Sequence, residues 1–213
     1  MDGLLKKTLI TFLLAALIYL AFFFWFDRDV DLWVYRNLAD TWIQQAGEAV
    51  STIATGSYIR LVLALCLILV VIADPRLKRN WTRNLLFLCL SCAVALVIGE
   101  GLKYLLGRHR PVMLFEQNKY GLTFFAEHGT QHSSPSGHTL RAFSILTALA
   151  LLFRRGRIFF IALAVLIGIS RVVVTAHYPS DVLFGAFIGV FAALWTYRYF
   201  FRKVDITVST QPG

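Results

Sequence analysis

The sequence predicts an all-α polytopic membrane bundle of about six transmembrane helices, with an amphipathic interfacial helix between the first two. Three observations carry this prediction. Of 213 residues, 58% are hydrophobic and only 15% charged, a balance more apolar than that of a soluble domain. Apolar runs recur at lengths near the ~20 residues that cross a bilayer. Cations are divided unequally between alternate loops, as in membrane proteins with a defined orientation. The length suits one domain over residues 1–213.

The first span covers about residues 8–26. Lys6-Lys7 before it imitates a secretory leader, but the run ends in Phe22-Phe23-Phe24-Trp25-Phe26 instead of a small-residue cleavage site. It reads as an uncleaved transmembrane helix. Within 29–55, Tyr35, Leu38, Trp42, Ala46, Ala49 and Ile53 recur at helical spacing, with Arg36, Asp40, Gln44 and Glu48 around the rest of the helix. One amphipathic helix is expected there, lying in the interface with Trp33 and Trp42 as headgroup anchors or packed over the mouth of the bundle. The remaining spans are expected near 57–73, 84–106, 135–153, 158–175 and 180–200. Residues 112–134 form the other long connection, where Phe115, Tyr120, Phe124 and Phe125 alternate with Lys119, His128 and His132. It reads as a lid or as a structural loop. Cys66, Cys89 and Cys92 all sit in apolar runs and read as small core hydrophobes.

The loops orient the bundle. Lys6, Lys7, Arg76, Lys78, Arg79, Arg83, Arg154, Arg155, Arg157, Arg198, Arg202 and Lys203 fall on one side, against only Asp2, Asp74 and Asp205. The positive-inside rule places that side and both termini in the cytoplasm. The net charge of +9 has this topological explanation, so nucleic acid is not an expected partner.

Chemistry gathers at the opposite ends of the spans. Lys103 and Arg110-Pro111 bracket the end of the third span and would share one side of a helix if it continued that far. Pro135-Ser136-Gly137-His138 opens the fourth, where proline and glycine suit a helix start and free N–H groups attract an anion. Ser170-Arg171 ends the fifth. His177 and Asp181, at i and i+4, flank the entry to the sixth, with Ser180 a candidate N-cap. A carboxylate bonded to one imidazole nitrogen would leave the other free to attack, making His177 the nucleophile and Asp181 its orienting partner. His138 is the candidate general acid. Lys103, Arg110, Ser136, Gly137 and Arg171 are the candidate phosphate ligands. Snorkelling to lipid headgroups is the plainer reading of any one such cation.

Taken together, Lys-x6-Arg-Pro, Pro-Ser-Gly-His and Ser-Arg-x5-His-x3-Asp resemble the three-part signature of the type 2 phosphatidic acid phosphatase family, over residues 103–181. The resemblance implies a metal-independent, cofactor-free phosphatase that works in two steps. His177 would form a phosphohistidine, and His138 would protonate the leaving group and then activate water. Asp181 would stabilise the charged His177.

Three further residues stand beside the signatures. Glu100 would place Lys103 or form a plain structural ion pair with it. Arg141 would support the phosphate or brace the bundle. Arg108, with His109, would touch a second anionic group or simply be solvated. His128 and His132 are too isolated for metal ligands.

The expected function is a membrane lipid phosphatase for a phosphomonoester or diphosphate at the outer face of a bacterial inner membrane. Candidate lipids are undecaprenyl diphosphate, lipid A, phosphatidylglycerophosphate and phosphatidic acid. Two rivals remain: a lipid phosphotransferase with the same site, and a non-catalytic lipid-binding or transport protein.

Overall fold

Helix α1 (Gly3–Trp25) exposes its apolar side chains along almost its whole length and runs into the aromatic stretch at its end. It is followed by α2 (Asp27–Leu38), α3 (Trp42–Thr52), α4 (Gly56–Ala73) and α5 (Asn80–Leu106). After these come α6 (Pro111–Gln117), α7 (Gly137–Leu152), α8 (Arg157–Val173) and α9 (Pro179–Val208). The computed structural model describes residues 3–127 and 129–208, with side chains through residue 201. Asp2, His128 and the side chains of Arg202, Lys203 and Asp205 lie outside the described residues.

Five stretches are long and apolar enough to cross a membrane: Gly3–Trp25, Trp42–Ala73, Asn80–Leu106, Arg154–Val173 and Pro179–Phe201. The sixth expected span is α7, a shorter apolar helix of 16 residues, about 24 Å long at 1.5 Å per residue. It occupies the middle of the bundle, packed on α5, α8 and α9. Its inward residues Leu140, Ala142, Leu146 and Ala148 are buried. The membrane-helix bundle expected from hydropathy is therefore the observed architecture. Among the described residues the only β-type pairing is the isolated bridge between Arg108 and Leu122.

The single amphipathic helix expected over 29–55 is instead two helices. Asp40 takes a left-handed backbone, φ 61°, a region that a short polar side chain tolerates better than most. Its N–H donates to the Gln44 side chain at 2.7 Å, and the Thr41 hydroxyl donates to the Leu38 carbonyl at 2.7 Å. These local bonds compete with helix continuation. The apolar stripe read from the sequence points away from the protein: Tyr35, Trp42 and Ile53 are exposed. The inward side carries Asp27, Asp31, Val34, Gly47 and Ser51. Thus α2 and α3 cover the bundle with their small and acidic face and turn their aromatic face outward.

Two glycines decide how closely α7 and α9 approach. A Cβ on Gly185 would lie 2.9 Å from the Ser136 carbonyl, and one on Gly189 would lie 2.8 Å from the Leu140 carbonyl. This is the small-residue spacing that lets membrane helices touch backbone to backbone. The contact is fastened at the helix starts, where the Ser136 N–H donates to the Asp181 carbonyl at 3.0 Å. The second and third signatures are thereby drawn to the same end of the bundle.

Candidate active site

Lys103 stands one turn before the end of α5, which stops at Gly107 in a left-handed conformation, φ 54°. The helix therefore does not persist to Arg110, as sharing a face with Lys103 would require. Arg110 is instead the N-cap of α6, with Pro111 in the first turn. Its Nε donates to the Gly129 carbonyl at 3.0 Å and its NH2 to the His132 carbonyl at 3.4 Å. The 112–134 connection thus contains a helix and holds Arg110 through its backbone. Burial pushes the Arg110 guanidinium below its ordinary pKa.

Ser136 caps α7 and Gly137 is its first helical residue. The Ser136 hydroxyl accepts from the Thr139 hydroxyl at 3.0 Å. Lys103 Nζ lies 3.2 Å from where a Cβ on Gly137 would sit, so the first and second signatures meet. The same ammonium donates to Glu100 Oε1 at 2.7 Å, which realises the pairing foreseen for Glu100. From α8, the Arg171 NH1 donates to the Ser51 hydroxyl on α3. Its Nε is buried without a partner among the described residues.

His177 lies between α8 and α9, only 2% exposed. Its Nδ1–H donates to the Ser133 carbonyl at 2.8 Å. A carbonyl only accepts, so the proton must sit on Nδ1, and Nε2 keeps a free lone pair. Burial, together with the charges of Arg110 and Arg171 and the nearby His138, holds the His177 pKa well below the ordinary imidazole value. Lys103, Arg110, Arg141 and Arg171 are all within electrostatic reach of His138.

The expected direct bond from His177 to Asp181 is not formed: Nδ1 and Oδ2 are 3.9 Å apart. The link runs through Ser133. Asp181 Oδ2 accepts from the Ser133 hydroxyl at 2.5 Å, and the Ser133 carbonyl accepts from His177. Asp181 Oδ2 also accepts from the Tyr178 N–H at 3.1 Å, in the reciprocal manner of a capping box. Ser180 is consequently not the N-cap of α9; its hydroxyl donates to Asp27 Oδ2 at 2.5 Å.

Arg108 departs furthest from expectation. It is neither solvated nor aimed at a ligand; it is fully buried. Its NH1 donates to Asp181 Oδ1 at 2.6 Å and its NH2 to Asp27 Oδ2 at 2.7 Å. The rings of Tyr178, Phe23, Tyr19 and Tyr120 surround the guanidinium at 4.3 to 5.6 Å. Behind this cluster Asp31 is buried with both oxygens unpartnered among the described residues. Burial, with Asp181 and Asp27 close by, pushes its carboxyl up to about 9. Arg141 donates through Nε and NH2 to the Ala54 carbonyl at 3.1 and 3.0 Å, and its NH1 sits 3.3 Å from the Gly137 Cβ position. It braces the end of α3 and also borders the site.

Sequence reasoning missed Ser133, Asp27, Ser51 and Ala54. The one available signal was Asp27, an acid directly after an aromatic run. Among the described residues no group of three or more His, Cys, Asp or Glu side chains could hold a metal ion. His132 instead places Nε2 at 2.9 Å from the Ala126 carbonyl. Cys89 and Cys92 are buried free thiols, and Cys66 is free and half-buried.

Residues 84–205 match the PAP2 superfamily. A lipid A 1-phosphatase of Rhizobium etli is 43% identical over 99 residues, 46% of this chain and 43% of that protein. The match thus spans under half of that relative's length. The crystal structure of the first transmembrane PAP2 type phosphatidylglycerolphosphate phosphatase from Bacillus subtilis aligns over 93% of this chain and 97% of its own. The TM-score is 0.70 at 20% identity. The crystal structure of Aquifex aeolicus LpxE aligns over 80% of this chain and 94% of its own, with a TM-score of 0.59 at 21% identity. Both likenesses are likenesses of fold.

Proposed function

We propose, from the premise that this chain belongs to the PAP2 superfamily, that it is a membrane lipid phosphatase working through a phosphohistidine. One observation carries the reading. His177 presents a free Nε2, its tautomer held by the Ser133 carbonyl, beside Arg110 and Arg171, which have no carboxylate partner among the described residues. A neutral imidazole facing uncompensated cations is arranged to receive an anion and attack it.

In the first step His177 Nε2 forms a bond to phosphorus as the bond from phosphorus to the lipid oxygen breaks. His138 gives that oxygen its proton. In the second step His138 takes a proton from water, whose oxygen attacks phosphorus. The N–P bond breaks, and free phosphate and neutral His177 are restored. Lys103, Arg110, Arg171, Ser136 and the Gly137 N–H stabilise the charge on the transferring oxygens. Asp181 stabilises the cationic phosphohistidine through Ser133. No step calls for a metal.

A lipid substrate is supported by the apolar groove of about 560 Å³ on the face formed by α1, α5 and α9. It is lined in part by Leu102, Leu106 and Phe184, neighbours in sequence of Lys103 and Asp181. The signatures lie at the ends of α5 and α8 and the starts of α7 and α9, opposite the basic turns around Arg76 and Arg154. With the positive-inside rule this supports a site on the outer face and cytoplasmic termini. Lipid A 1-phosphate, phosphatidylglycerophosphate, phosphatidic acid and undecaprenyl diphosphate are the substrates to test.

The deciding experiment is a phosphate-release panel over these purified lipids, with His177→Ala as control. Release from at least one lipid, lost in the variant while its folding is retained, is the expected result. Retained release would refute the histidine nucleophile. Radiolabelled donor with an acceptor lipid separates transfer from hydrolysis, and label only in free phosphate excludes transfer. Inhibition by orthovanadate and indifference to EDTA are expected; a strict Mg²⁺ requirement would refute the mechanism.

A further inference from the structure

We propose that Arg141 forms a second anion subsite beside the transferred phosphate, which makes a lipid diphosphate the favoured substrate class. The inference deepens the phosphatase reading and rests on it. Arg141 lies outside all three signatures. It is 6% exposed, yet no carboxylate lies within ion-pair distance among the described residues. A buried cation without a counter-charge is expensive to hold, so an arrangement that keeps one invites an anion.

Its geometry is that of an anchored ligand. Nε and NH2 are both spent on the Ala54 carbonyl. This fixes the plane of the guanidinium and leaves NH1 without a hydrogen bond among the described residues. NH1 and the Lys103 ammonium flank one point above Gly137, at 3.3 and 3.2 Å. The guanidinium also lies against Gly56, where a Cβ would sit 3.3 Å from Cζ, NH1 and NH2 alike. Arg60 follows Gly56 by one turn of α4 and is exposed, so it extends the same basic face toward solvent.

Charge decides between one phosphate and two. Lys103, Arg110 and Arg171, with the Ser136 hydroxyl and the Gly137 N–H, already supply donors for the oxygens of a single phosphoryl group. Arg141 brings the cations to four, with Glu100 the one paired carboxylate. A phosphomonoester carries about −1.5 to −2 at neutral pH. A second phosphate adds another ionised oxygen and matches the surplus more closely. The half of the substrate nearer the lipid chain would then rest on Arg141 while the terminal phosphate faces His177.

The test uses the full chain purified in detergent, with calorimetric titration of orthophosphate, orthovanadate and methylenebisphosphonate, a diphosphate mimic that cannot be cleaved. The wild-type protein should bind the bisphosphonate about 10-fold or more tighter than orthophosphate, as expected for an added charge-assisted bond. Arg141→Gln and Arg141→Lys should each reduce that ratio toward unity. Arg60→Gln, at an exposed position, should reduce it by about 2- to 3-fold, the scale of a solvent-exposed charge. Equal wild-type binding of the two anions overturns the inference, whatever the variants do. Parallel weakening of both anions in the Arg141 variants overturns it as well. A wild-type protein indifferent to orthophosphate and orthovanadate alike would instead refute the phosphatase reading itself.

Discussion

Two charge clusters lie back to back in this protein, and they are built on opposite plans. In front of His177, Lys103, Arg110, Arg141 and Arg171 gather around the start of α7, with Glu100 as the one ion-paired acid. Behind it, Asp27, Asp31 and Asp181 gather around Arg108. The rear cluster is closed: two carboxylates pair with one guanidinium, four aromatic rings surround it, and Asp31 is held protonated at neutral pH. The front cluster is left open, its guanidiniums bonded to carbonyls and hydroxyls instead of acids. The difference teaches which charges serve the fold and which serve a ligand. A buried ion pair completed internally is a structural fixture, whereas buried cations left uncompensated are what the proposed anion site requires.

Breaking each cluster should therefore give different losses. If His177 is the nucleophile, as proposed, His177→Ala should reduce phosphate release by about 10³-fold or more, since a nucleophile acts as a unit with its neighbours. Arg171→Ala should reduce kcat/KM by about 10²- to 10³-fold, as for loss of one preorganised donor, while thermal stability is unchanged or raised. Arg108→Ala should instead destabilise the fold by about 3–5 kcal/mol, because it strands two buried carboxylates. A melting-temperature series across these variants checks the contrast; an unfolded Arg171→Ala with a stable Arg108→Ala would invert it.

Smaller effects sharpen the boundary between the clusters. Ser133→Ala keeps the carbonyl that fixes His177 but removes the hydroxyl that reaches Asp181. It should lower kcat about 10-fold with KM unchanged, and in a double-mutant cycle with Asp181→Asn the two losses should not add. Additive losses would mean that Asp181 acts by another route.

The smallest effects are those of pH. The Asp31 carboxyl titrates higher in the folded protein, about 9, than its ordinary 3.8. Between those values the native state holds the extra proton, so this contribution to stability is full in acid and declines as pH rises through about 9. Asp31→Asn should flatten that decline, read as melting temperature against pH. His177 runs the other way: its folded pKa is depressed, so the native state binds fewer protons and stability falls as pH drops below about 6.5.

The spans and the front cluster were legible in the sequence for a shared reason. Transmembrane runs announce themselves by hydropathy. Lys103, Arg110, Ser136, Gly137, His138, Arg171, His177 and Asp181 stand out because polar groups beside such runs are costly. The pairings of the rear cluster were not legible. Asp27 and Ser180 are 153 positions apart, Asp27 and Arg108 are 81, and Arg108 and Asp181 are 73. No periodicity links residues at such separations. Ser133 was hidden for a different reason: it holds His177 through a backbone carbonyl, which every residue has. The break at Asp40 was masked by an apolar stripe that continues in phase across it.

Arg108 also has a consequence for how the chain is assembled. Its two carboxylate partners lie far from it on either side in the chain, Asp27 just after α1, 81 positions before it, and Asp181 at the start of α9, 73 positions after it. During synthesis the guanidinium emerges after the first partner and long before the second. The knot cannot be tied until the last helix has been threaded into the bilayer. A nascent chain stalled short of α9 would carry an arginine with only Asp27 as counter-charge, and so would lack the closed ion-pair cluster of the finished fold.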